Sequence, residues 1–270
     1  MGSQYRSPAY FLDDTAAILR HYSTTMNEQS VSTRRDFLKT TTAAALGGVI
    51  AVPAFLGRTY AADGGDVLKV GLVGCGGRGT GAAVNSLQVK NGPMKLVAMA
   101  DLDPARISGN LDKLKSQFPN QVDVPPERRS LGFEAYKQTM DALKPGDVVI
   151  LATPPAFRWV HFKYAIEKGL HVFMEKAISV DGPTTRRMID LGEQARKKNL
   201  KVGVGLMVRH CHGRQELLKR IQGGQIGDIL MMRAYRMGRA GGQAPRKPDS
   251  ISEVMYQVQR FHAFLWGSGG

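Results

Sequence analysis

VLKVGLVGCGGRGTGAAVNSL, residues 67–87, is the stretch from which the fold follows. Residues 67–73 form a short, valine-rich apolar run, as a strand buried on both faces requires. Glycines then stand at Gly74, Gly76 and Gly79, and from about Arg78 the hydrophobic period changes, so that Ala83, Val84 and Leu87 share a helical face. The pattern continues outward. Residues 95–100 read as a second strand ending at Asp101, and Asp103 as the N-cap of a helix entered at Pro104. Residues 133–143 read as helix, 147–153 as a buried strand stopped by Pro154 and Pro155, and 158–168 as helix. A strand over 171–175, a helix over 184–198 and a strand over 201–208 follow. Such alternation specifies an α/β fold with a doubly wound parallel sheet.

The glycines satisfy G-x-G-x-x-G in the context that gives the pattern meaning, after a strand and at the start of a helix. Gly74 allows the tight turn, Gly76 lets backbone approach a pyrophosphate, and Gly79 lets helix pack closely on strand. Gly77 and Arg78 complete the loop, and the helix N-terminus points N–H groups at the phosphates. Asp101 lies 22 residues beyond Gly79, close to the spacing of ~20 at which a carboxylate takes the adenosine ribose diol. It would also repel a 2′-phosphate, so NAD is expected over NADP. Arg78 and Arg106 offer positive charge that works against that preference.

Composition is that of an ordinary globular chain, 43% hydrophobic and 22% charged. The formal net charge of +14 raises nucleic-acid binding as a question. Residues 201–270 hold eleven Lys and Arg against four Asp and Glu, but as scattered arginines without a basic run or interleaved aromatics. Nucleic acid is therefore not the expected partner. Cys75 and Cys211 are too few for a disulfide framework and read as small buried hydrophobes. His210-Cys211-His212 would put two histidines on one face of a strand, yet nothing nearby specifies a third zinc ligand, and no metal is expected.

Three blocks together resemble the Gfo/Idh/MocA oxidoreductases: GLVGCGGRGTG at 71–81, AMADLDPAR at 98–106 and ATPPAFRWVHFKYAIEKGLHVFMEKA at 152–177. The resemblance runs over about residues 66–266 and implies a Rossmann domain binding NAD, followed by an open antiparallel sheet that covers the nicotinamide. It implies that Lys176 is the catalytic lysine beside the nicotinamide, acting on a substrate hydroxyl of a sugar or cyclitol. Thr153, Pro154, His161, Glu175 and Arg209 join the cofactor-binding set through the same resemblance. Ala177 stands where the family carries proline. A surface Glu–Lys pair at a strand end is the plain alternative for Glu175 and Lys176. The leading expectation is an NAD-dependent dehydrogenase. The others are an NAD-dependent glycoside hydrolase of the same fold and a non-catalytic dinucleotide-binding fragment.

Residues 1–62 read as an extension and a twin-arginine export signal. Arg34 and Arg35 precede Phe37, Leu38 and Lys39, a mildly apolar stretch covers 43–56, and small residues follow at Ala61 and Ala62. Met26, eight residues before Arg34, is a natural start for such a signal. The expected partners are thus the export machinery and a small sugar or polyol, and the expected location is the periplasm or cell envelope. Residues 63–210 are assigned to the nucleotide-binding domain and 211–270 to the start of a substrate domain, with a first strand over 227–236 and a lead-in over 253–266. The family's Asp/His proton-transfer pair has no counterpart here, so the chain reads as truncated. A homo-oligomer through the C-terminal sheet is compatible with a complete second domain.

Overall fold

Six short strands, each followed by a helical connection, carry the architecture. They are β1 (Leu68–Val73), β2 (Met94–Asp101), β3 (Arg129–Leu131), β4 (Val148–Leu151), β5 (His171–Met174) and β6 (Val202–Val204). Between them lie α1 (Gly77–Leu87), α2 (Pro104–Gln117), α3 (Ala135–Asp141), α4 (Arg158–Glu167) and α5 (Gly182–Lys197). α6 (His212–Gln222), α7 (Glu253–Gln259) and α8 (Leu265–Ser268) follow. The computed structural model describes residues 67–90, 92–235 and 245–269, all within the unit Tyr60–Gly270. The expected export signal lies outside the described residues. Among the described residues no helix is long and apolar enough to cross a membrane.

Every strand pairing is parallel, in the order β3-β2-β1-β4-β5-β6. The order reverses between β1 and β4, and a crevice opens at such a switch point beyond the carboxyl ends of the strands. The apolar strands are covered on both sides, which is why they read as continuous hydrophobic runs. Val70 and Leu72 of β1, with Leu96 and Met99 of β2, cluster with Ala83 and Leu87 of α1 and Ile107, Leu111 and Leu114 of α2. Val73, Val149 and Leu151 cluster instead with Met140 of α3, Phe162 and Ile166 of α4, and Met188 and Leu191 of α5.

The doubly wound sheet is as expected, and the departures from the sequence reading have local causes. β4 begins after Asp147, whose carboxylate is engaged by the N–H groups of Lys69 and Lys144 at 3.1 and 2.8 Å. β6 ends at Val204 rather than near 208, because the chain turns back there and the Leu206 N–H donates to the Val204 carbonyl at 2.7 Å. α5 begins at Gly182, two residues early, on a capping box between Asp181 and Thr184. Asp103 caps α2 as expected, its carboxylate accepting from the Ala105 N–H at 2.9 Å.

Three readings are corrected, the first being Cys211, which is exposed at the N-cap of α6 rather than buried. Residues 227–235 form no strand, and no partner strand for them exists among the described residues. Leu230 there is 95% exposed, so the stretch has neither ladder nor cover. His210 and His212 do not share a strand face either, since His210 lies in a turn and His212 opens α6.

Candidate functional site

The turn after β1 is built so that helix and sheet nearly touch. Gly74 takes φ +96°, and a Cβ on it would stand 2.7 Å from the Ala152 carbonyl carbon. A Cβ on Gly79 would stand 1.8 Å from the Gly74 carbonyl oxygen, so only glycine lets α1 seat against the turn. The opposite face is open. A Cβ on Gly77 would meet nothing within 4 Å, and one on Gly76 would meet only Arg106 Nη1 at 3.7 Å. This leaves backbone exposed beside a guanidinium, the surroundings that a pyrophosphate requires.

Asp101, at the end of β2, is tied to the same turn. Its Oδ2 accepts from the Cys75 N–H at 2.7 Å, and its Oδ1 from the N–H groups of Leu102 and Asp103 at 2.8 and 3.0 Å. Two oxygens offer about four acceptor positions, so Oδ2 keeps capacity for a hydroxyl. Cys75 is buried, with its thiol pointed at the Ala100 carbonyl at 3.3 Å. Burial, and then the Asp101 charge, push its pKa well above the ordinary thiol value, which leaves it structural. Asn110 Nδ2 donates to the Cys75 carbonyl at 2.6 Å and ties the turn to α2.

The carboxyl ends of β4 and β5 supply the other side. Arg158, the first residue of α4, is almost fully buried, and among the described residues it has no carboxylate partner. Its Nη1 donates to the Leu151 carbonyl and its Nη2 to the Thr153 carbonyl at 2.6 Å, while Nε has no partner among the described residues. Burial pulls its pKa down to about 10, with Glu175 opposing, so the guanidinium stays charged at neutral pH. His161, one turn further on, is buried against the Tyr136 ring at 4.5 Å, and its Nδ1 lies 3.1 Å from Thr153 Oγ1. Burial first, then the Arg158 charge, pull its pKa down to about 3, so the imidazole is neutral. Glu175 is buried at the end of β5, with Oε1 2.7 Å from Arg78 Nη2. Gly205 makes room for that carboxylate, because a Cβ there would stand 3.0 Å from it. Lys176 is exposed, and its peptide bond to Ala177 is cis.

These parts enclose a cleft of about 450 Å³, within the range of small-molecule sites. Gly74, Gly76, Gly77, Arg78, Gly79, Asp101, Thr153, Pro154 and His161 all line it. Glu175 does not line it but reaches it through Arg78. Lys176 and Arg209 line a neighbouring open depression of about 1020 Å³ that shares Arg78 with the cleft. Sequence reasoning missed Tyr136, Phe157, Val258, Phe261 and His262, which also line the cleft. Val258, Phe261 and His262 come from α7 and the short turn Phe261–Ala263, and only the tertiary fold brings them there. The glycine cradle, the ribose-height carboxylate and the apolar wall together fit a dinucleotide.

The chain is similar to several known proteins. Inositol 2-dehydrogenase of Corynebacterium glutamicum is 24% identical over 204 residues, covering 75% of this chain and 54% of the relative. A glycosyl hydrolase family 109 protein of Shewanella amazonensis is 27% identical over 165 residues, covering 60% of this chain and 34% of the relative. The crystal structure of myo-inositol 2-dehydrogenase from Lactobacillus plantarum superposes with a TM-score of 0.47 at 22% identity, over 61% of this chain and 43% of that one. The chain thus spans about half the length of the inositol 2-dehydrogenases that it matches. Residues 68–206 match the Gfo/Idh/MocA profile, described as an oxidoreductase family with an NAD-binding Rossmann fold, and the chain belongs to that family.

Proposed function

We propose that this chain is the nucleotide-binding part of an NAD-dependent dehydrogenase acting on a sugar or cyclitol hydroxyl. The observation that carries the reading is the convergence of the glycine turn, the Asp101 carboxylate and the Thr153–His161 pair on one cleft. In this reading Gly74, Gly76, Gly77 and Gly79 expose backbone to the pyrophosphate, Arg78 adds charge beside it, and Asp101 holds the ribose. Thr153, Pro154 and His161 form the nicotinamide side, with Glu175 holding Arg78 in place and Arg209 at the margin. Neutral His161 packs there without introducing a charge. The bound nicotinamide supplies the hydride acceptor. Lys176 is the catalytic residue, its Nζ placed to stabilise the negative charge that develops on the substrate oxygen.

The inositol 2-dehydrogenases among the relatives support a cyclitol or sugar as substrate. The glycosyl hydrolase names belong to relatives of which this chain covers about a third. Net accumulation of NADH separates the two activities, because a hydrolase of this type returns the hydride. We further infer export by the twin-arginine route to the periplasm or cell envelope, from the order of charged, apolar and small residues in 32–62. Residues 211–270 begin a substrate domain in this reading, through which copies of the chain would associate.

Titration with NADH, followed by its fluorescence, tests the central proposal. A saturable enhancement is expected, weakened at least tenfold by Asp101→Ala. A wild-type chain that gives no saturable signal refutes it.

A further inference from the structure

We propose that the depression beside the nucleotide cleft receives an oxyanion, which makes the substrate class a sugar or cyclitol bearing a carboxylate or a phosphate. The proposal rests on the dehydrogenase reading above and narrows it. Arg78, Lys176, Arg209 and Arg214 all line this depression, and among the described residues no aspartate or glutamate does. Glu175 engages Arg78 from beneath. Among the described residues, Lys176, Arg209 and Arg214 have no carboxylate partner. Cations gathered round one concavity repel one another and focus a positive field into it, and a bound anion relieves the repulsion.

The arrangement is supported by its backbone. The His210 N–H donates to the Leu206 carbonyl at 3.2 Å, and Gln215 Nε2 donates to the Arg209 carbonyl at 2.8 Å, which ties the turn carrying Arg209 to α6. Arg214 and Gln215 lie in the first turn of α6, an eleven-residue helix whose N-cap, Cys211, makes no side-chain cap. The positive end of that helix therefore adds to the same field. Leu206, Met207, Val208 and Leu218 supply apolar lining against which the carbon face of a sugar ring can rest. Among the described residues no aromatic side chain lines the depression, so these residues offer no stacking platform of a nucleic-acid groove. It meets the nucleotide cleft at Arg78 alone and includes Lys176, so an anion held by Arg209 and Arg214 leaves the rest of a sugar beside the proposed catalytic amine.

The test measures binding of D-glucuronate, D-glucose 6-phosphate, D-glucose and sulfate to the chain by calorimetry, at constant ionic strength, with and without NADH. At least one of the two acidic sugars is expected to bind tenfold or more tighter than glucose, and tighter than sulfate. Which of them does so distinguishes carboxylate from phosphate. The variant Arg214→Gln is expected to weaken the preference at least tenfold while retaining wild-type NADH affinity, which also reports that it is folded. Equal affinity for all three sugars overturns the proposal. So does a preference that survives in Arg214→Gln, or sulfate binding as tightly as the acidic sugars. NADH titration of the same samples reads the cofactor assignment separately. Acid preference without NADH binding would overturn that assignment and leave the anion site standing.

Discussion

Replacing Gly79 by alanine tests the construction of the site with a single added carbon. That Cβ would stand 1.8 Å from the Gly74 carbonyl oxygen, 3.0 Å from the Gly74 carbonyl carbon and 3.1 Å from Ala152 Cβ. Comfortable contact needs roughly 3.5 Å, so α1 must withdraw from the turn by well over an ångström. Overpacking costs typically ~1–3 kcal/mol, and here the obstacle is backbone that cannot rotate aside, so about 3 kcal/mol is expected. In a folded unit of this size that is a fall in Tm of roughly 6–12 °C. Two neighbours in the same helix serve as controls. Gly81→Ala meets nothing within 4 Å and is expected to leave Tm unchanged or raise it, by up to ~1 kcal/mol of helix propensity. Gly77→Ala also meets nothing in the protein, but it places a methyl group on the cleft wall. Its Tm should be unaffected while NADH affinity falls at least tenfold. Calorimetry and NADH fluorescence on the three variants separate packing from binding. A Gly79→Ala protein melting within about 2 °C of wild type would refute the packing argument, and a Gly77→Ala protein with wild-type affinity would refute the cradle.

His161 should make the protein acid-sensitive. Its pKa is about 3 when folded and 6.5 ordinarily, so between those values the unfolded chain binds more protons and stability is lost as pH falls. From pH 6.5 to 4.5, above the carboxylate range, this amounts to about 2–3 kcal/mol at 1.36 kcal/mol per unit. Denaturation of wild type and His161→Gln across that window should give converging stabilities, and parallel curves would overturn the reading. Gly205→Ala drives a methyl group to 3.0 Å from the Glu175 carboxylate and should cost about 1–2 kcal/mol, whereas Gly213→Ala, in open space, should be silent. Equal melting of those two variants would show that Glu175 moves freely. Asp101→Ala removes the acceptor from three N–H groups and the charge that repels a 2′-phosphate. It should lower the NADH-to-NADPH affinity ratio at least tenfold, and an unchanged ratio would detach Asp101 from ribose recognition.

The parallel sheet was legible because strands buried on both faces are written as unbroken apolar runs, and because the glycines fall where a strand turns into a helix. β3 was not, since its three residues, Arg129–Leu131, contain one buried side chain and no repeat. Residues 227–235 have strand-like composition, but a strand also needs a neighbour, and composition does not report one. Asp101 was singled out from its spacing, whereas its grip on the Cys75 N–H depends on how β2 and the glycine turn meet. Glu175 and Lys176 were identifiable only by resemblance, and nothing in the sequence couples Glu175 to Arg78, 97 positions away. Arg158 escaped notice because arginine is ordinarily a surface residue. Its role becomes visible only when the two carbonyls at the end of β4 are seen to converge on it.

Part of the cleft is borrowed from chain remote in sequence. Val258, Phe261 and His262 line one side, and Trp266 meets Phe157 edge-on at 6.1 Å. Among the described residues a single ring contact, Trp266 on Phe157, joins this segment to the rest of the fold, whereas the glycine turn is hydrogen-bonded into the central sheet through the Gly74 N–H to the Ala100 carbonyl. Occupancy of the cleft and docking of this segment must be reciprocal: whatever free energy a guest gains from the docked segment, the segment gains from the guest. The fold in this way divides the cleft wall between a frame built into the sheet and a segment contributed from far along the chain.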